Sequence, residues 1–261
     1  MLGHLWAYRQ FVLSSVRNEI TSRFIRSKLG GLWIIISPLT QVAIYAFILS
    51  NVLSAKLPGI ESKYGYPIYL MSGLLAWALF SEIIGRCLNL FIEQGPLMKK
   101  MQFPRITLPT IVVASCVFNN ILLFSAMLGI FLLLGHQFSL AMFWLLPLTL
   151  ILAGFALGLG LVLGIINVFV RDLSQLVPIV LQILFWFTPI IYPISIIPQN
   201  YHEWLSLNPL YHFTTAYQDI ILYGRIPEID GLIIISISTL LLLLFSLFLF
   251  RRSNEEMVDV L

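Results

Sequence analysis

Residues 93–109, EQGPLMKKMQFPRITLP, separate two apolar runs that are each long enough to cross a lipid bilayer. The stretch carries Lys99, Lys100 and Arg105 and is punctuated by Pro96, Pro104 and Pro109. Hydrocarbon cannot solvate those charges or the backbone groups that the prolines free, so the stretch sits in water on one face of a membrane. Lys and Arg in short loops mark the cytoplasmic face, which fixes the direction of every neighbouring segment. The loop reads as a contact for a partner protein in the cytosol.

Composition supports that starting point. Of 261 residues, 59% are hydrophobic and 10% charged, and the mean hydropathy is +0.94. These values exclude an ordinary soluble domain and predict an all-α, polytopic integral membrane protein. The net charge of +3 is small and unevenly placed, which speaks for orientation and against a nucleic-acid partner. Cys87 and Cys116 lie inside apolar runs and form no CxxC or metal-spaced pair, so they read as packing residues. His4, His136, His202 and His212 are scattered without ligand spacing, and no metal site is expected. No cleaved signal peptide is evident in the first 28 residues, where basic and apolar residues alternate.

Working outward from the loop, the second and third spans are expected at about 68–91 and 110–134, and a fourth at about 140–170. Only Gly135–Ser139 separates the third from the fourth, which makes them an antiparallel hairpin. Toward the N-terminus, 32–53 forms a first span kinked by Pro38, and the loop 54–66 is too short for a domain. Residues 1–28 are expected to form a separate amphipathic interface helix. There Leu5, Trp6, Val12, Leu13, Val16, Ile20 and Phe24 fall on one side, and Gln10, Ser14, Arg17, Asn18 and Thr21 on the other. That helix lies along the membrane surface, either as a plain anchor or as a protein contact. Toward the C-terminus, a fifth apolar run at about 176–194 meets Pro189, Pro193 and Pro198, which a straight helix cannot pass. Residues 199–225 are too polar to span and hold Tyr201, Trp204, Tyr211, Tyr217 and Tyr223, so short re-entrant helices dipping into the outer interface are expected. The sixth span is 232–250, and Arg251-Arg252 stop it. Eleven Lys and Arg residues fall on one side and three on the other, with Arg86 inside a span. That bias puts both termini in the cytosol and residues 29–261 into one six-span domain.

Two kinds of polar stripe could carry function. Glu82, Arg86, Asn89 and Glu93 follow one another at spacings of four, three and four on the cytoplasmic half of the second span. They line or gate a cytoplasmic entrance, or else Glu82 and Arg86 form a self-neutralised pair that only packs helices. Ser37, Gln41 and Tyr45 on the first span, with Gln182 and Trp186 on the fifth, form an uncharged set suited to lining a path for polar, largely uncharged cargo. The series Gly154, Gly158, Gly160 and Gly164 permits close helix approach and reads as packing. There is no GxxxxGK[ST], nucleophile elbow or HExxH, so no catalytic residue is assigned and no cofactor is expected in this chain.

Several stretches resemble one family, the ABC-2 type permeases that export bacterial surface polysaccharides. They are Leu29-Gly30-Gly31-Leu32-Trp33 with Ser37-Pro38, Lys99 to Arg105 (KKMQFPR), Asn167 to Leu173 (NVFVRDL), Thr188 to Pro193 (TPIIYP), and Leu207 to Leu210 (LNPL), spread over nearly the whole chain in the expected order. Within the family the chain is most similar to O-antigen exporters of Gram-negative bacteria, with capsule and teichoic-acid exporters next. The resemblance implies a homodimer in the bacterial inner membrane, joined to two copies of a cytosolic ABC ATPase subunit that binds the ATP and Mg. It also implies export of an undecaprenyl-diphosphate-linked polysaccharide from cytosol to periplasm. The ATPase contacts implied are Arg17, Arg23 and Arg26 of the surface helix, Gly95, Pro96, Lys99, Lys100, Phe103 and Pro104 of the loop, and Arg171 with Asp172.

Other readings predict different features. An ABC-2 permease for a drug or lipid would share fold and ATPase but need no wide, aromatic-lined path. A secondary transporter or channel would show inverted repeats or midplane acids, and neither is obvious. An intramembrane enzyme would have to use Glu61, Glu203, Asp219, Glu228 or Asp230, which are unpaired in sequence and suit a solvated surface.

Overall fold

A computed structural model of the chain describes residues 8–22, 32, 33, 36, 39, 40, 43, 44, 47, 64–100, 105–133, 135–137 and 139–260. Among them every regular element is helical: α1 (Arg9–Ser22), α2 (Gly65–Glu93), α3 (Gly95–Lys100), α4 (Thr107–Leu133), α5 (Leu145–Phe169), α6 (Leu173–Phe187), α7 (His202–Ser206), α8 (Pro209–Ile221) and α9 (Ile229–Val260). Short 3-10 turns lie at Leu140–Trp144, Ile194–Ile196 and Gln199–Tyr201. Four units among the described residues are long and apolar enough to cross a membrane: α2, α4, the continuous Leu140–Phe169, and the Ile229–Ser253 part of α9. The expected first span, 32–53, lies outside the described residues apart from scattered positions.

Helix α2 is the hub, with both its apolar flanks and most of its polar stripe covered by other helices. Ile68, Leu79, Phe80, Ile83, Ile84 and Phe91 are fully buried along its length. Without water in the bilayer, helix association rests on close packing, and glycines supply it here. A Cβ on Gly160 would lie 2.8 Å from the Cys87 Cβ, and one on Gly164 would collide with the Cys87 carbonyl oxygen, so α5 rests directly on the α2 backbone. The other pair in the series faces α9: Cβ atoms on Gly154 and Gly158 would meet Thr239 at 3.2 Å and Leu242 at 3.0 Å. One helix therefore uses two glycine pairs on two faces to dock two neighbours.

The direction of each helix follows from these contacts. The Phe80 ring stacks on Phe155 at 6.1 Å, Cys87 meets Gly160 and Gly164 further along both helices, and Phe91 lies 5.8 Å from Phe250. Hence α2, α5 and α9 run parallel, and α4 returns antiparallel with Asn120 donating to the Leu75 carbonyl at 2.9 Å. The α4–α5 hairpin turns on Gly135, whose φ of +82° only glycine adopts without strain. His136 N donates to Phe131 O and Gly135 N to Leu132 O, the paired bonds of a Schellman stop.

Helix α6 has 15 residues and so rises about 22 Å, short of the roughly 30 Å of hydrocarbon. It breaks at Thr188, before Pro189, and side chains satisfy carbonyls of the segment that follows. Tyr69 Oη shares its one hydrogen between Pro189 O and Tyr192 O, both at 3.0 Å, Tyr66 Oη donates to Ile191 O at 2.7 Å, and Gln218 Nε2 donates to Pro189 O at 3.1 Å. The segment after it is α7 and then α8, whose N-terminus is capped by Asn208 Oδ1 accepting from Leu210 N at 3.0 Å with Pro209 in the first turn. At the opposite end, α9 does not stop at Arg251-Arg252, which end only its apolar stretch. It continues to Val260, because Arg, Glu and Met are good helix formers once the segment has left the bilayer.

Candidate functional site

The polar stripe of α2 is partnered, and the nearest charged partner comes from α1. Arg86 Nη2 lies 2.6 Å from Glu19 Oε1 on α1, whereas its spacing partner Glu82 is 4.0 Å away. Glu19 is held a second time, by Ser115 Oγ of α4 donating to Oε2 at 2.8 Å. Glu82 in turn accepts from Asn119 Nδ2 of α4 at 2.8 Å, and Arg86 Nη1 sits 3.7 Å from the Cys116 sulfur. Three helices thus meet around one guanidinium, whose planar fork serves several acceptors at once. The side chains of Arg86 and Glu19 are about three-quarters covered, so the pair is screened less than a surface ion pair.

Beside this junction lies a cavity of about 530 Å³ lined by Phe11, Ser15 and Glu19 of α1, Gly85, Arg86, Leu90, Glu93 and Gln94 around the end of α2, and Leu108, Ile111 and Val112 of α4. Glu93 opens onto it, while Asn89 turns elsewhere: its Oδ1 accepts from Asn167 Nδ2 at 3.2 Å, and Asn167 Nδ2 also donates to Leu88 O at 2.9 Å. Asn167 is wholly buried, and its Oδ1 has no hydrogen-bond partner.

The candidate lining residues on α6 sit elsewhere. Gln182 is exposed and Trp186 is 58% exposed, and Val177 is the buried residue of that helix. Helix α6 meets α2 through Phe185, whose ring lies edge-on to Trp77 at 5.3 Å. Trp77 precedes Arg86 by nine residues, about two and a half turns at roughly 3.6 residues per turn, so the two point from nearly opposite faces of α2. The structure therefore does not bring Gln182 and Trp186 together with Glu82 and Arg86. Ser37, Gln41 and Tyr45 lie outside the described residues.

Of the residues implied as ATPase contacts, Arg17, Pro96, Lys99, Arg171 and Asp172 are exposed and Gly95 is buried. Arg23, Arg26, Phe103 and Pro104, and the side chain of Lys100, lie outside the described residues. Lys99 follows the end of α2, and Arg171 and Asp172 follow the end of α5, which the Cys87 to Gly164 approach places at the same end of the bundle. Arg251 and Arg252 of α9 lie at that end too, beyond the Phe91 to Phe250 contact. The short helix α3 packs there through buried Met98.

Sequence reasoning missed Glu19, Ser115 and Asn119, and it quoted Asn167 as part of a family stretch without its contact to α2. A signal for Glu19 existed: it follows Val12 by seven and Val16 by three, so a carboxylate stands at the border of the apolar stripe, where it needs a partner.

Residues 10–222 match the membrane domain described as ABC-2 type transporter. The chain belongs to the ABC-2 type transporter family. Its relatives are similar along nearly their whole length. A Myxococcus xanthus protein named O-antigen export system permease protein RfbA is 30% identical over 265 residues, covering 99% of this chain and 98% of that one. A Klebsiella pneumoniae protein of the same name is 25% identical over 261 residues, covering 100% and 97%. The Escherichia coli polysialic acid transport protein KpsM is 27% identical over 247 residues, covering 92% of each chain. For an ABC-2 chain the absence of a P-loop from this sequence has a direct meaning: it is a membrane-spanning transporter component with no phosphate cradle of that kind.

Proposed function

We propose that this ABC-2 chain is the permease subunit of an ATP-driven exporter that moves an undecaprenyl-diphosphate-linked O-antigen-type polysaccharide from cytosol to periplasm. The observation that carries the cargo class is end-to-end similarity to proteins named as O-antigen and polysialic acid exporters. Two chains form the channel, each with six spans and both termini in the cytosol of a bacterium, in its inner membrane. The sparsely covered aromatic face of α6, with Gln182 and Trp186, supports a role toward the partner copy or the path, because an amide and aromatic rings bind sugars without trapping them. Two copies of a separate ATPase subunit supply the energy, binding ATP and Mg and resting on α1, α3 and the Arg171-Asp172 turn. The clustering of basic residues at that one end of the bundle supports this orientation.

The test is deletion of the gene in its source bacterium, with surface labelling of long-chain glycan and analysis of lipid-linked glycan in the cell. Loss from the surface with accumulation inside is the expected result. Normal surface glycan in a strain with no second exporter rejects the polysaccharide cargo and favours an ABC-2 permease for a drug or lipid.

A further inference from the structure

We propose that Arg86 is a positioning residue, the reversible joint through which displacement of the surface helix α1 is passed to the membrane-spanning helices α2 and α4. The inference rests on the reading of the chain as an ATP-driven permease, and it deepens that reading by naming where the force enters the bilayer.

A joint differs from a staple in having strong directional bonds at one point, looseness around it and room to move. Glu19 supplies the bonds, gripping Arg86 at 2.6 Å and Ser115 at 2.8 Å, so that one carboxylate holds both α2 and α4. Around it α1 gains little other cover from this chain: Phe11 and Leu13 are exposed, and Val12, Ser15 and Val16 are only partly covered. The cavity of about 530 Å³ beside the pair supplies the room. Its wall includes Gly85, where a Cβ would meet nothing within 4 Å. A cavity of that size with Glu19, Arg86, Glu93 and Gln94 in its wall admits water, and water can take over the hydrogen bonds of Glu19 and Arg86 when they part. Opening the pair then avoids the full cost of stranding a charge in a dry interior. When closed, the pair also shields a thiol: Cys116 is fully buried beneath Arg86, 3.7 Å from Nη1. That thiol is a built-in reporter of whether the joint is open.

The experiment uses the full chain with its cognate ATPase subunit in membranes, carrying Cys87→Ala so that Cys116 is the one remaining cysteine of the chain. Alkylation of Cys116 by N-ethylmaleimide is timed with and without ATP and magnesium. The joint gives a rate that changes by about fivefold or more with nucleotide, the low end of ordinary coupling between two sites. Arg86→Gln makes the labelling fast in both conditions, and Arg86→Lys, which keeps the charge, restores part of the nucleotide response. Gly85→Leu, whose Cβ meets nothing within 4 Å, puts bulk into the cavity and makes labelling slow in both conditions. A rate in the parent that ignores nucleotide overturns the joint, as does a nucleotide response that Arg86→Gln and Gly85→Leu leave unchanged. Neither outcome depends on the cargo, so failure of the joint is distinguishable from failure of the polysaccharide reading, which the surface glycan of the deletion strain decides separately.

Discussion

Replacing Gly164 by Ala adds one methyl group at the tightest seam in the bundle. The new Cβ would overlap the Cys87 carbonyl oxygen, lie 3.3 Å from the Cys87 carbonyl carbon and touch the Phe91 ring at 3.6 Å. The obstacle is backbone, so no rotamer change relieves it, and α2 and α5 must separate. A gap of about 0.5–1 Å forfeits a quarter to a half of each dispersion well along the contact. Ile84, Cys87, Phe91, Leu161, Ile165 and Val168 are all buried along these two helices, and overpacking of a tight core costs about 1–3 kcal/mol. Against this, Ala gains up to about 1 kcal/mol of helix propensity over Gly. The backbone overlap puts the cost at the upper end of that range, so the net is a destabilisation of about 2 kcal/mol, which at roughly 2–4 °C per kcal/mol for a chain of this size lowers the midpoint by about 4–8 °C. The assay is thermal unfolding of the purified protein in detergent at one fixed scan rate. Gly129→Ala is the control, since a Cβ there meets nothing within 4 Å, and it should melt at or slightly above the parent. A Gly164→Ala protein that melts as high as the parent refutes the direct backbone contact between α2 and α5.

Three further outcomes follow from the polar contacts. Tyr69→Phe and Gln218→Leu each remove a donor from Pro189 O, and the double variant should lose more than the two singles together. Each single costs about 1 kcal/mol, the worth of one hydrogen bond, whereas the double strands the carbonyl; strict additivity in unfolding midpoints would contradict the shared-acceptor picture. Asn167→Asp puts a carboxylate against the Leu88 carbonyl and Asn89 Oδ1, acceptors that Asn167 Nδ2 now serves, and should cost about 3 kcal/mol or more as an unpaired buried charge. An unfolding midpoint equal to the parent's would remove Asn167 from the α2–α5 seam. Asp219, on α8 outside the spanning helices, is held above the ordinary carboxylate range by burial and then by Glu228, with Arg225 opposing. A carboxyl raised in the folded state contributes stability that is fully present below its unfolded pKa and lost as pH rises through the folded one, so Asp219→Asn should raise the melting temperature at neutral pH and flatten its fall above the acid range. A lower melting temperature for Asp219→Asn at neutral pH would contradict this.

The helical class and the membrane setting were legible because long apolar runs interrupted by charged, proline-bearing loops have few other solutions. The glycine series was legible as packing, although sequence alone did not separate its two faces, since Gly154 and Gly158 differ from Gly160 and Gly164 only in which neighbour they meet. The Asn208-Pro209 start of α8 carries a capping signature that local chemistry sets. The partner of Arg86 was not legible. Helical spacing nominates Glu82, four residues away, and chain-local rules give no weight to Glu19, 67 positions earlier. The same limit hid Ser115 and Asn119, because α4 is apolar around them and only tertiary packing shows which of its faces meets α2. The bonding of the break after α6 was hidden for the same reason: three prolines predict that a helix fails, but not that two tyrosines and a glutamine of other helices serve carbonyls of the segment that follows.

These contacts divide the bundle by how easily its parts can shift. Helix α5 is seated on the α2 backbone at Gly160 and Gly164, and α9 is seated on α5 at Gly154 and Gly158. Close-packed interfaces of this kind are bistable rather than continuously deformable, so α2, α5 and α9 behave as one body. Helix α6 buries Val177 and little else, and it meets α2 at the Trp77 to Phe185 ring contact and at the pinned break beyond Thr188. Moving α6 against the rigid body therefore disturbs far fewer contacts than separating any two members of that body. The Arg86 junction lies on nearly the opposite face of α2, at the other end of the same body. A push delivered there by α1 would be carried across by α2 as a unit and emerge at α6, where the packing is thinnest and where the exposed Gln182 and Trp186 stand.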